Sequence, residues 1–80
     1  MDYTYKPIKN IFGERLRQIR NQKRLTLDEV ASAVRTTKAT LSRYENGKMI
    51  PTLYSAKALA DYLAVSLDWL TTSDSDLQEG

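Results

Sequence analysis

Apolar side chains recur along this chain at helical intervals and divide it into five short amphipathic segments. In the first, about Asn10 to Arg24, Phe12, Leu16 and Ile19 stand at i, i+4 and i+7, one stripe of a helix between charged flanks. The second opens with clear local chemistry. Thr26 is placed to accept a backbone N–H while Glu29, three residues on, reaches back to it, which is a capping box. Leu25 and Val30 bracket that start as a hydrophobic staple, and Leu27, Val30, Ala31 and Val34 make a continuous inner face. Only Arg35 and Thr36 intervene before Thr37, the expected N-cap of the third segment. That segment runs to Asn46-Gly47, where glycine suits the left-handed residue after a helix, and Pro51 bars direct continuation. The fourth, about Leu53 to Leu63, is expected to bury Leu53, Ala56, Leu59, Ala60 and Leu63. The fifth is short: Ser66 caps it, Asp68 suits its first turn, and Val65 staples onto Leu70.

This pattern predicts an all-α, five-helix domain over residues 10–71. Residues 1–9 lack periodicity and read as an N-terminal arm. Tyr3, Tyr5, Lys6 and Lys9 there suit a groove, a partner subunit or an unattached end. Residues 72–80 are polar and acidic and read as a tail or linker. Leu67, Trp69 and Leu70 are too apolar for a solvated single turn. They either close the core or meet a second subunit.

Composition narrows the chemistry. Eighty residues allow one modest core. With no cysteine and no histidine, thiolate metal sites, disulfides and the usual general base are excluded. No nucleophile–base–orienter set or metal-ligand cluster is legible, so no enzyme, no metal and no cofactor is expected, and no small-molecule ligand is evident. No apolar run approaches the ~20 residues of a membrane span, and the opening MDYTYKPIKN lacks the apolar stretch of a secretory signal. A cytoplasmic protein is expected, nucleoid-associated only if its partner is DNA. The net charge of +2 hides a split: residues 1–50 carry eleven Lys and Arg against five acids, whereas residues 51–80 carry Lys57 against five acids. A basic first half and an acidic end fit a polyanionic partner for the former.

The third segment gives that partner a location. At ~100° per residue, Lys38, Ala39, Ser42, Arg43 and Asn46 share an arc of ~140°, while Thr37, Leu41 and Tyr44 lie opposite. One side anchors; the other displays cations, a methyl, a hydroxyl and an amide without a carboxylate. A major groove ~12 Å wide admits one such helix. There Arg and Lys suit guanine O6 and N7, and a methyl packs on thymine. Thr37 and the free N–H groups of the helix start suit phosphate, and Lys48 can reach the backbone again.

The stretch TLDEVASAVRTTKATLSRYENGKMIPT resembles the helix-turn-helix of the lambda-repressor-like (Cro/cI, XRE) family. The resemblance extends through FGERLRQIRNQKRL before it and LYSAKALADYLAVSLDWL after it, about residues 11–70. It implies that Thr37–Asn46 is the recognition helix, with Lys38, Ala39 and Arg43 toward bases; Ser42, on the same arc, joins them from the spacing alone. By the same resemblance Thr26, Asn46 and Lys48 fall near phosphates, and the residues themselves add Thr37 at the helix start, Arg35 at the turn and the Leu27 backbone N–H as expected phosphate contacts. It also implies an ion pair between Arg20 and Glu45; periodicity independently sets both at the edge of buried stripes. The chain departs from the family at Leu27, where glutamine is usual and only the backbone N–H remains for phosphate. It departs again at Arg35 and Ala64, where glycines usually end the helices. If those positions need a positive φ, each carries strain of ~1 kcal/mol or more.

The expected function is a sequence-specific, double-stranded-DNA-binding transcription regulator, a repressor in the first instance. It would act as a homodimer with Leu67, Trp69 and Leu70 as dimer candidates. The alternative from another class is an antitoxin- or coactivator-like protein-interaction module on the same fold.

Overall fold

The computed structural model describes residues 7–73, which form five α-helices and no strand. They are α1 (Ile8–Gln22), α2 (Leu27–Ala33), α3 (Lys38–Glu45), α4 (Leu53–Leu63) and α5 (Leu67–Thr71). The first helix starts at Ile8, two residues before the expected Asn10 and directly after Pro7. The remaining arm and tail, residues 1–6 and 74–80, lie outside the described residues.

Local chemistry sets most helix ends. Thr26, Thr37, Thr52 and Ser66 precede α2 to α5, and each side-chain oxygen accepts the N–H three residues on. At Thr26 the box is complete, because Glu29 Oε1 also accepts the Thr26 N–H at 2.7 Å. The first four helices all end through a residue at positive φ: Arg24, Arg35 and Ala64 at 59° and Gly47 at 69°. The residue after each donates back to the carbonyl five positions earlier, Leu25 to Arg20, Thr36 to Ala31, Lys48 to Arg43 and Val65 to Ala60. These are Schellman closures, made three times by a side-chain-bearing residue that glycine would relieve of about 1 kcal/mol.

The core gathers one flank of every helix. Phe12, Leu16 and Ile19 from α1, Val30 and Ala31 from α2 and Leu41 and Tyr44 from α3 meet Ala56, Leu59, Ala60, Leu63 and Leu70. Helix α1 is the spine, packing on both α3 and α5, while α2 rests on α3 and α4 on α5. Two expectations need correction. Leu53 is not buried but 77% exposed: it sits at the edge of the α4 stripe, on the first residue of the helix, where the core side is already turning away. Leu70, offered as a dimer contact, has no exposed surface. A side chain the monomer encloses completely closes its own core. Leu67 and Trp69 are half-buried against that core. No described helix is long and apolar enough to cross a membrane.

Candidate nucleic-acid interface

Two short helices joined by a tight turn set the geometry. The α2 closure at Arg35 reverses the chain, and Thr37 starts α3 two residues later. Leu41, Tyr44 and Glu45 point inward and are buried. Lys38, Ala39 and Arg43 are exposed and Ser42 is half-exposed on the other flank. Lys48 is exposed just past the Gly47 closure.

What holds α3 in place is polar. Arg20 of α1 donates through Nε to Glu45 Oε2 at 2.6 Å and through Nη2 to Oε1 at 3.0 Å, a bidentate pair. Its Nη1 donates to the Leu25 carbonyl at 2.8 Å, tying the α1–α2 turn to the same cluster. The Glu45 side chain is 3% exposed and Arg20 14%. The Glu45 hydrogen bond pushes the Arg20 pKa above its ordinary value, against burial, which lowers it. A raised pKa contributes stability that is fully present below the unfolded value and lost only above it. The Arg20 side of this clamp therefore keeps its charge throughout the neutral range. Beside it, the Phe12 ring meets Tyr44 edge-on at 6.2 Å. Gly13 lies against the Tyr44 and Glu45 carbonyls so closely that a Cβ would stand 2.9 Å from the Glu45 oxygen.

The two helix starts differ in field. The first turn of α3 contains no acid, whereas that of α2 contains Asp28 and Glu29. A helix N-terminus favours an anion, and carboxylates there oppose it. The α3 start, with Thr37 and the Lys38 and Ala39 N–H groups, is thus more anion-receptive than Thr26 and Leu27. Thr37 Oγ1 is partly committed, accepting from the Thr40 N–H and donating to Thr40 Oγ1. Asn46 is committed more fully: its Nδ2 donates to the Ser42 carbonyl at 2.9 Å, and its Oδ1 accepts from Arg17 Nη2 at 2.8 Å. Arg35 is exposed at the α2–α3 turn.

Three contributors were missed from sequence. Arg17 joins Arg20 on Glu45 at 3.4 Å and braces Asn46; its only sequence signal is its place one turn before Arg20. Gly13, inside an amphipathic helix, marked a close backbone approach that was legible. Arg15 donates from Nε and Nη2 to the Thr72 carbonyl at 3.1 and 2.9 Å and stacks 4.7 Å from the Trp69 ring centroid. It thereby fastens the end of α5 to α1 across 57 residues of sequence.

The fold and this exposed α3 flank define a helix-turn-helix domain. A helix-turn-helix family model (HTH_3) matches residues 16–70, and the chain belongs to that family. It is 30% identical over 63 residues to the HTH-type transcriptional activator BcrR of Enterococcus faecalis, covering 79% of this chain and 31% of that protein. It is 33% identical over 69 residues to the HTH-type transcriptional repressor RghR of Bacillus subtilis (strain 168), covering 85% of this chain and 51% of that protein. The chain thus spans less than a third of the first relative's length and about half of the second's. Among solved structures it is similar to the restriction-modification controller protein C.AhdI from Aeromonas hydrophila. There the TM-score is 0.73 at 26% identity, over 78% of this chain and 94% of that one. It is similar as well to the clp gene regulator ClgR from Corynebacterium glutamicum, with a TM-score of 0.79 at 25% identity over 84% and 71% of the two chains.

Proposed function

We propose that this chain is a sequence-specific regulator of transcription that reads the major groove of double-stranded DNA with α3. The observation that carries the reading is the two-sided character of that helix. Its inner flank is clamped by Arg20 on Glu45, while its outer flank presents Lys38, Ala39, Ser42 and Arg43 with no carboxylate among them. Lys38 and Arg43 donate to guanine O6 and N7, the Ala39 methyl packs against a thymine methyl, and Ser42 adds a hydroxyl. Phosphates are met by the α3 start at Thr37 and by Lys48 and Arg35. Thr26 and Leu27 contribute less, since Asp28 and Glu29 stand beside them. With its amide engaged by Ser42 and Arg17, Asn46 acts by shaping the face.

The chain acts as a homodimer on an inverted repeat, with recognition helices ~34 Å apart in successive major grooves. Leu67 and Trp69 remain dimer candidates. A site overlapping a promoter gives repression, the same act performed elsewhere gives activation, and both take place on chromosomal DNA in the cytoplasm. Selection of bound duplexes from a random pool tests this: two symmetric half-sites about 10 base pairs apart are expected. A pool that emerges without consensus, bound no better than random duplex, would overturn it.

A second reading rests on a different surface. An open groove of about 340 Å³ runs between the α2 end and α4, with Val34, Arg35, Tyr44, Tyr54 and Leu59 among its lining, and Tyr54 is 86% exposed. An antitoxin- or coactivator-like module would use that side to hold a protein. Its function would survive the loss of both Lys38 and Arg43.

A further inference from the structure

Arg17 belongs to α1 and not to α3, yet it acts on the outward arc of α3 through two hydrogen bonds in series. Its Nη2 donates to Asn46 Oδ1 at 2.8 Å. A guanidinium can only donate, so the Asn46 oxygen must face Arg17 and its nitrogen must face the other way. The amide orientation is fixed by that chemistry. On the far side, Asn46 Nδ2 donates to the Ser42 carbonyl at 2.9 Å and reaches Ser42 Oγ at 3.3 Å. An acceptor site of the Ser42 hydroxyl is therefore engaged from within the molecule. Among the described residues, its own proton meets no acceptor, and the side chain sits half-exposed between Lys38 and Arg43 on the outward arc.

A serine hydroxyl free to turn serves as donor or acceptor and discriminates poorly between bases. Here one of the two acceptor lone pairs is occupied from within the molecule while the proton stays free, so donation is the favoured role. We propose that Arg17 is a positioning residue for base specificity: through Asn46 it holds the Ser42 hydroxyl as a donor. At this point α3 then favours a base edge that presents an acceptor over cytosine, whose major-groove edge presents the N4 amine. The inference rests on the DNA-reading role of α3 and assigns one element of its selectivity. The partner is ordinary double-stranded DNA with guanine, adenine or thymine at the base facing Ser42.

The test is selection of duplexes by the intact chain from a random pool, with the parent beside Ser42→Ala, Arg17→Met and Arg17→Lys. For the parent, one position in each half-site should deplete cytosine by about fivefold or more, the weight of one hydrogen bond. Ser42→Ala should abolish that depletion there and leave the other positions unchanged. Arg17→Met, with Ser42 intact, should abolish it at the same position, whereas Arg17→Lys, which still donates, should retain it. The Asn46 side-chain amide resonances give a readout independent of DNA and should move in Arg17→Met. Weaker overall binding by Arg17→Met with an unchanged base profile would overturn the proposal and leave Arg17 a brace alone. So would Asn46 resonances indifferent to Arg17, or a Ser42→Ala profile identical to the parent's. If the parent selects no duplex, the DNA-reading role itself fails and the inference falls with it.

Discussion

Helix α3 packs against α1 and is followed in the chain by α4, and these two junctions are made in contrasting ways. On the α1 side, Gly13 lies against the carbonyls of Tyr44 and Glu45, Arg20 grips Glu45 through two hydrogen bonds, and Phe12 packs edge-on against Tyr44. Backbone, charge and ring geometry all specify one register there. On the α4 side, the chain leaves the Gly47 closure through a stretch in which Ile50, Leu53 and Tyr54 are 62%, 77% and 86% exposed. The entry to α4 relies on its own Thr52 cap. Precision is concentrated where α3 meets α1. The departure from that helix is held by local chemistry and leaves apolar surface outside.

That contrast can be broken at its strong side. Gly13→Ala forces a methyl onto two backbone carbonyls that have nowhere to move. A loss of ~3 kcal/mol in urea unfolding is expected, the upper end for overpacking. Glu45→Ala comes next. It strands Arg20 in a nearly closed site and frees Arg17, for a loss of about 3 kcal/mol in the same measurement, with DNA binding weakened besides. Substitutions at the weak side sharpen the comparison. Ala64→Gly removes a side chain from a left-handed closure and should stabilise by about 1 kcal/mol, or a few degrees of melting temperature. Leu53→Ser should alter unfolding by no more than about 0.5 kcal/mol; a cost comparable to that of Gly13→Ala would show that the α4 entry is built as tightly as the α1 seam.

Sequence reasoning reached what local chemistry determines. Thr26 with Glu29, Thr37, Ser66 and Gly47 each act within a few residues of themselves, so their caps and closures are visible in the order of residues alone. Arg35 and Ala64 adopt the positive φ that the family's glycines implied, whereas Arg24 adopts it with no mark in the sequence. The Arg20–Glu45 pair came from family resemblance together with two stripe edges. Contacts between distant segments were not legible. Nothing in Arg15 announces a carbonyl 57 residues away. Periodicity could not separate a leucine that closes the core from one that meets a partner, which is why Leu70 was placed on both sides of that choice and belongs to the first. Leu53 failed for a related reason: a stripe edge at a helix end looks the same whether or not anything lies opposite.

The most direct test of the central claim is equilibrium binding of the selected duplex by the parent and by Arg43→Ala, Lys38→Ala and the double variant, each first checked for unchanged unfolding. The account predicts a loss of ~1–3 kcal/mol for each single change, with base preference relaxed at separate positions. Variants that fold as the parent does and bind the duplex with its affinity and its preferences would contradict it.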